Sequence, residues 1–187
     1  KVLKIFGPLL EDSKLKKYGQ NVKYDWIILK RLGVTVRGID FDTMIANYLI
    51  NPHKKNHNLD DISLEHLGVR KIATEALIGT GKNQTTMDKV PLETITEYAC
   101  EDADCVFRLV SILKEKLKER GLEDLLSDVE MPLAFVLGKM EMNGVSIDVK
   151  FLKELSDNAS EELAGLTRAI YDEVGEEFNI NSPKQLA

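Results

Sequence analysis

The sequence has few cysteines and no long apolar run. Its two cysteines, Cys100 and Cys105, are five residues apart in one predicted helix and do not face each other, so neither a disulfide nor a metal site built from them is expected. Reduced thiols are typical of the cytosol. No apolar run approaches the roughly 20 residues that a membrane span needs, and no signal peptide is recognisable.

The chain also has no excess of positive charge. It carries 31 acidic and 25 basic residues, a net charge of −6, so contacts with nucleic acid would depend on local groups of residues. With 30% charged and 43% hydrophobic residues, the composition is that of a globular protein. A length of 187 residues allows one domain or two modest ones.

Apolar residues recur at helical spacing along most of the chain, which predicts a helix-rich protein. Residues 1–33 read as helical up to Gly33, and Val34-Thr35-Val36 is a short strand candidate. Asp42 or Thr43 is expected to cap the next helix, which Pro52 ends. The further predicted helices are 59–67, closed by Gly68; a long helix from Pro91 to Gly121; 122–142; and a helix capped by Asp148 that runs to about Glu173.

Gly121 is the best predicted domain boundary and divides the chain into residues 1–121 and 122–187. The linker there is short, so we expect the two parts to pack together. Because strands are scarce, an α/β fold would need its sheet elsewhere, in residues before Lys1. Ser182-Pro183 near the end has the pattern of a helix start, which predicts that the chain is a fragment.

Tyr98 and Asp102 are the most informative pair. They are four residues apart, about one helical turn, so their side chains share a face. The apolar stripe that continues this face consists of Val106, Leu109, Leu113 and Leu117. A carboxylate beside such a stripe is costly unless a cation or strong donors meet it. Two interpretations remain open: a buried aspartate satisfied by backbone N–H groups, or a functional carboxylate.

Asp25 repeats this pattern on an earlier helix, where it shares a face with Ile28, Leu29 and Leu32. The segment Gly19-Gln20-Asn21-Val22-Lys23-Tyr24 before it offers amides, a cation and an aromatic ring, which can hold a nucleic-acid backbone and stack on a base. Two carboxylates with a tyrosine nearby indicate a divalent metal site, since Mg²⁺ is often held by few carboxylates plus water and substrate phosphate. Two aspartates are nevertheless fewer than the usual ligand set.

Several segments together resemble the family A DNA polymerases of bacteria. Gly19-Gln20-Asn21-Val22-Lys23-Tyr24-Asp25 is similar to the second motif of their 3′–5′ proofreading exonuclease domain, and Tyr98-Ala99-Cys100-Glu101-Asp102-Ala103-Asp104 to the third. The other similar segments are 41–44, 81–84, 130–133, 143–148 and 181–186. The spacing of the motifs carries the resemblance, which spans nearly the whole chain. Ribonuclease D-type exonucleases share the earlier elements but are not expected to continue into the later ones.

The resemblance implies an α/β, ribonuclease H-like exonuclease fold, here without its first strands, followed by α-helices at the base of the polymerase thumb. It implies two Mg²⁺ or Mn²⁺ ions. Asp102 would be a direct ligand of the water-activating ion, Asp25 would hold the second ion largely through water, and Tyr98 would position the attacking water. The residues implied to contact the frayed single-stranded 3′ end of DNA are Gln20, Asn21 and Tyr24.

The chain departs from the family in two places. The opening Asp-x-Glu motif, which supplies the shared metal ligand, is absent and is expected before Lys1. We therefore expect the chain alone to bind the ions poorly and to hydrolyse DNA slowly or not at all. Asn56 and Thr74 stand where some relatives have an arginine and an aromatic residue that touch DNA, which leaves those contacts open.

For the parent protein, the resemblance implies DNA synthesis and repair with proofreading, on primer–template DNA. It also implies a monomer without membrane attachment, in the bacterial cytoplasm at the nucleoid. The alternative is a non-catalytic, exonuclease-like module that serves as a scaffold or DNA-binding element.

Other polar residues receive structural interpretations. His53, His57 and His66 are expected on the surface or in loops. Asp42 is expected to be a helix cap rather than a metal ligand, and Asp104 to be solvated.

Overall fold

The computed structural model describes residues 2–186, which form two compact units, one ending at Asn143 and the other beginning at Gly144. Short 3₁₀ turns at Gly81–Asn83 and Met87–Lys89 and a π-helical turn at Leu125–Glu130 join some of the main elements. The main elements are α1 (Val2–Glu11), β1 (Lys17–Gly19), α2 (Val22–Arg31), β2 (Ile39–Asp42), α3 (Thr43–Ile50), α4 (Leu59–Leu67), α5 (Thr74–Ile78), α6 (Leu92–Glu119), α7 (Met131–Asn143), α8 (Val149–Val174) and α9 (Pro183–Leu186).

Strands β1 and β2 pair in parallel, with α2 as the connection between them. Tyr18 lies opposite Phe41 and Gly19 opposite Asp42, so both strands end at the same edge. The turn from β1 into α2 favours glycine, because a Cβ atom on Gly19 would come within 2.5 Å of the Val22 Cγ1 atom and displace that side chain. The shared edge therefore brings the start of α2 beside the start of α3, which directly follows β2.

A single buried carboxylate joins these two helix starts. Asp42 is fully buried and caps α3 by accepting from the Met44 amide at 2.8 Å and, more weakly, the Ile45 amide at 3.4 Å. The same carboxylate accepts from the Asn21 amide at 3.1 Å and the Val22 amide at 2.8 Å, at the start of α2. Burial raises the pKa of the Asp42 carboxyl above its usual value, while the four amide donors oppose this rise. The predicted cap is thus confirmed, and it serves two helices.

Helix α6 is the axis of the core. Its predicted apolar stripe is confirmed, since Leu109, Leu113 and Leu117 are at most 1% exposed and Val106 is 8% exposed. The stripe packs against α3 and α4, where Ile50 and Ile62 are also buried, at 2% and 0% exposure. Burial of each such side chain contributes about 1.5–3 kcal/mol. The core thereby fixes the end of α6 that carries Tyr98 and Asp102.

The helix-rich α/β expectation is confirmed, but two local predictions are wrong. Residues 17–19, predicted to be helical, form β1, because their backbone groups pair with β2. No local sequence pattern indicates this pairing. The second strand lies at Ile39–Asp42 and not at Val34-Thr35-Val36, where β-branched residues occupy a connection. The predicted helices at 59–67 and after Asp148, in contrast, are confirmed with their capping residues.

The compact unit extends beyond the predicted boundary at Gly121. Helix α7 packs on α2, where Trp26 meets Phe135 edge-to-face at 5.6 Å and a Cβ atom on Gly138 would lie only 3.1 Å from the Trp26 ring. The division into residues 1–121 and 122–187 remains a prediction about functional domains. In the described residues, no helix is both long and apolar enough to cross a membrane.

One histidine contradicts its predicted surface position. The His66 side chain is only 2% exposed, and its Nε2 atom lies 3.2 Å from the Asn47 Oδ1 atom. Asn47 is itself buried and also meets the Nδ1 atom of His57 at 2.9 Å. Burial lowers the pKa of His66, and the nearby Lys116 and Lys54 lower it further, while Glu65 opposes them.

Replacing Asp42 by asparagine is expected to lower the free energy of unfolding by about 2–3 kcal/mol, because an amide offers one acceptor oxygen and places N–H donors against backbone N–H groups. Urea denaturation followed by the fluorescence of Trp26, the single tryptophan, measures this. Asp12→Asn is the control, since Asp12 is exposed and its side chain accepts from the Lys14 amide, which lies on the surface. Equal losses in the two variants would contradict the bridging role.

Acid should destabilise the first unit through His66. Because its pKa is lowered in the folded state, the unfolded chain binds more protons, so the free energy of unfolding falls as the pH drops through about 6.5. His66→Gln is expected to flatten the dependence of the urea midpoint on pH between about pH 7 and 5. The control His53→Gln, at an exposed position, should leave the slope unchanged. If the urea midpoint of His66→Gln depends on pH as steeply as that of the wild type, His66 is not the source of the pH dependence.

Candidate active site

An open cleft of about 960 Å³ lies in the first unit. It is lined by residues from β1, the start of α2, the start of α4, α5 and the N-terminal half of α6. Five of the six predicted site residues line it: Gln20, Tyr24, Asp25, Tyr98 and Asp102. The sixth, Asn21, lines a smaller neighbouring pocket of about 220 Å³ with Asp42 and Met44.

Asp102 is half-buried and is paired with a lysine that the sequence did not single out. The ammonium group of Lys71 forms a hydrogen-bonded ion pair with the Asp102 Oδ1 atom. Burial disfavours the charge of this ammonium group, but the hydrogen bond to Asp102 and the charges of Asp102 and Asp60 outweigh burial and raise the pKa of Lys71. The partner of Asp102 is therefore a lysine side chain, and not the backbone N–H groups that the first of the two interpretations required.

Tyr98 is held at both its ring and its hydroxyl group. The Lys71 Nζ atom lies 5.0 Å from the ring centroid, a cation–π contact. The Tyr98 hydroxyl group lies 3.2 Å from the Thr74 Oγ1 atom, and either oxygen can donate. Thr74, which stands where some relatives have an aromatic residue, thus contacts the tyrosine of the pair.

Asp25 lies in the first turn of α2, where the helix dipole favours a carboxylate. Asp25 is exposed and lines the cleft. The apolar residues predicted to share its helix face are partly exposed to solvent, Ile28 at 38% and Leu32 at 60%. Partial desolvation and then the negative charge of Asp42 raise the pKa of the Asp25 carboxyl above its usual value. A nearby cation would favour its ionised form.

The predicted DNA-contacting residues differ in what their side chains already bind. The Gln20 amide donates to the His57 carbonyl oxygen at 2.7 Å and accepts from the Thr43 hydroxyl at 2.5 Å. Asn21 adopts a left-handed conformation, with φ of 55°, and makes no side-chain capping bond. Tyr24 is 63% exposed, which leaves its ring accessible to a ligand in the cleft.

The cleft is acidic. Among the described residues, its lining includes the carboxylates of Asp25, Asp60, Glu75 and Asp102 and a single base, Lys16. Such a surface repels a phosphate group unless a cation lies between them. Mg²⁺ prefers carboxylate oxygens, often only one or two, with water and substrate phosphate completing its shell. Asp25 and Asp102 fit this chemistry, although within residues 2–186 no three candidate side chains are grouped closely enough to form a metal site by themselves.

The sequence analysis did not single out Lys71 or Asp60. Lys71 is separated from Asp102 by 31 residues and lies between two short helices, where an isolated lysine carries no periodic signal. Asp60 lies in the first turn of α4, where an acidic residue is ordinary. The histidines and Asp104, set aside from the sequence, take no part in lining the cleft.

The chain is similar to proteins of known family. The sequence pattern of a family described as 3′–5′ exonuclease matches residues 1–118. DNA polymerase I of Pseudomonas aeruginosa is 39% identical over 188 residues, which cover 99% of this chain and 21% of that protein. DNA polymerase I of Rhizobium leguminosarum is 40% identical over 178 residues, which cover 95% of this chain and 17% of that protein.

A solved structure has the same fold. The structure of the POL domain of Pol1 from M. smegmatis, in complex with DNA primer-template and dNTP, superposes with a TM-score of 0.74 at 24% identity. The match covers 98% of this chain and 29% of that one. The chain spans about a fifth of the length of the two DNA polymerase I sequences above.

The left-handed conformation of Asn21 predicts how its variants behave. Asn21→Gly should change the free energy of unfolding by less than about 0.5 kcal/mol, since glycine adopts this conformation freely. Asn21→Ala should lower it by about 1 kcal/mol, since alanine is strained there. Urea denaturation of both variants measures the difference, and an alanine variant as stable as the glycine variant would contradict it.

Proposed function

The chain belongs to the family of 3′–5′ exonucleases, and on that premise we propose that it is the proofreading portion of a bacterial DNA polymerase. The proposed reaction is metal-assisted hydrolysis of the 3′-terminal phosphodiester of DNA. In the parent protein this reaction accompanies template-directed DNA synthesis during replication and repair. The proposed place of action is the bacterial cytoplasm, at the nucleoid, with the protein acting as a monomer.

One observation carries the proposal: Asp25, Tyr98 and Asp102, from two helices far apart in sequence, line one acidic cleft. Two carboxylates at an open surface can bind a divalent cation, and the tyrosine hydroxyl of the same cleft can orient a water molecule. The substrate is DNA, by analogy with the M. smegmatis structure that contains a primer-template.

The residues have separate proposed roles. Asp102 and Asp25 would hold Mg²⁺ or Mn²⁺, which supplies Lewis-acid activation of water and neutralises charge on the phosphate. The Tyr98 hydroxyl group would orient the attacking water, while its contact with Thr74 limits the positions it can adopt.

The 3′ end of the DNA strand would enter the cleft beside Tyr24. Its exposed ring offers a stacking surface for an unpaired base. The Gln20 amide, already engaged with His57 and Thr43, would present a constrained polar edge to the DNA. We also propose that Asn21 contacts the DNA directly.

We further propose that the 187 residues alone hydrolyse DNA slowly or not at all. A site for two ions normally takes more carboxylates than the two that this chain contributes to the proposed pair. The missing ligand in this proposal is an Asp-x-Glu pair elsewhere in the parent polymerase.

A non-catalytic role is the alternative. Its supporting observation is the ion pair between Lys71 and Asp102, because a carboxylate that a lysine already neutralises can serve a structural purpose. In that case the cleft would be part of a scaffold or a DNA-binding surface without hydrolysis.

The full-length polymerase that carries this chain distinguishes the two. With Mg²⁺ and a mismatched 3′ end, single-turnover removal of the terminal nucleotide should fall about 10³-fold or more in Asp102→Ala and in Asp25→Ala. Tyr98→Phe should lower it on the order of 10²-fold, since only the water-orienting hydroxyl is lost.

Asp104→Ala is the matched control. Asp104 lies on the same helix, is exposed and pairs with Arg108, so its loss should leave removal of the 3′ end unchanged. Polymerisation rates measured on the same preparations report whether each variant is folded. Unchanged removal in Asp102→Ala would falsify the catalytic proposal and favour the scaffold.

A further inference from the structure

The side chain of Lys71 is buried in an unusual way for a lysine. It is 1% exposed although it lies in the short connection between α4 and α5. Lysines are almost never fully buried unless their charge is paired. The burial therefore indicates that neighbouring groups compensate the charge of the Lys71 ammonium group.

Three carboxylates surround that ammonium group. Besides the ion pair with Asp102, the Nζ atom lies 3.8 Å from a Glu101 oxygen and 3.7 Å from an Asp60 oxygen. One positive charge against three negative charges leaves an excess of two negative charges. The remaining negative charge attracts a divalent cation to the same carboxylates.

The connection that carries Lys71 is tied to α6 at two further points. The Ile72 amide donates to the Glu101 Oε2 atom at 2.7 Å, and Thr74 meets the Tyr98 hydroxyl at 3.2 Å. Tyr98, Glu101 and Asp102 are spaced by three and four residues and so share one helix face. Lys71 thus directly precedes two anchored positions and contacts both members of the Tyr98–Asp102 pair.

We propose that Lys71 is a positioning residue, which holds Asp102 and Tyr98 in place by neutralising part of this acidic cluster, a task that a divalent cation can take over. The inference rests on the proposed function, because it assumes that a divalent cation binds at Asp102. Lys71 acts through Asp102 and Tyr98, and it has no proposed contact with the DNA.

The test is local hydrogen exchange in the full-length polymerase that carries this chain, without DNA. In Lys71→Met, which keeps an apolar side chain of similar length, amide exchange in residues 98–106 without divalent cations should rise about ten- to hundredfold. Addition of Mn²⁺ should return the exchange to near the wild-type level. Lys71→Arg keeps the charge and should stay near wild type with or without Mn²⁺.

Lys114→Met is the matched control. The Lys114 Nζ atom lies 3.1 Å from an Asp40 oxygen and 5.3 Å from the Tyr18 ring centroid, an ion pair and a cation–π contact like those of Lys71. Its loss should leave exchange in residues 98–106 unchanged, and Mn²⁺ should have no corrective effect on it.

A second measurement needs no substitution. In the wild-type protein, Mn²⁺ should increase the rate at which an acetylating reagent modifies Lys71 relative to Lys114, because the cation takes over the carboxylates that shield the ammonium group. This readout keeps the test decisive if Lys71→Met does not fold.

The outcomes separate the proposals. Faster exchange that Mn²⁺ reverses supports the positioning role. Unchanged exchange in Lys71→Met, faster exchange that Mn²⁺ leaves uncorrected, or Lys71 acetylation that Mn²⁺ leaves unchanged overturns it. Because neither readout involves turnover, a positioning role can be established even if Asp102→Ala leaves removal of the 3′ end unchanged, which would refute only the catalytic function.

Discussion

The buried carboxylate of Asp42 is the interaction on which the rest of the first unit depends. A carboxylate in an apolar interior is strongly unfavourable unless donors surround it, and here four backbone amides do so. Because two of these amides belong to the start of α2 and two to the start of α3, their common acceptor fixes both helices to the end of β2. Asp25 and Tyr24 reach the cleft only because α2 begins at that point, and the charge of Asp42 contributes to the raised pKa of Asp25.

The other side of the cleft is held by a different physical device. Helix α6 is anchored along one face by fully buried leucines, and the same face continues towards its N-terminus as Tyr98 and Asp102. The packing free energy of the core therefore also positions the polar groups of Tyr98 and Asp102. The connection after α4 adds Lys71, whose ammonium group meets both residues at once. One wall of the cleft is thus fixed by backbone capping, and the other by apolar burial and an ion pair.

Much of the helical architecture could be predicted because its signals are local. Asp42 and Asp148 each accept from amides two or three residues ahead, and Gly68 ends its helix in the left-handed conformation, so a short window of sequence contains the necessary chemistry. The strand at Lys17–Gly19 escaped prediction because three residues are too few for an alternating pattern, and its hydrogen bonds go to residues about 20 positions away. The burial of His66 was missed for the same reason, since its partner Asn47 lies on another helix.

By itself, the sequence determined that Tyr98 and Asp102 share a helix face beside an apolar stripe, because helical periodicity depends only on spacing. It also determined the family, through the order and spacing of several motifs. Only the tertiary structure decided that Asp25 opens onto the same cleft as this pair, and that Lys71 and not a set of backbone amides meets Asp102. A contact between residues 31 positions apart depends on how helices and connections pack, and such packing leaves no periodic trace in the chain.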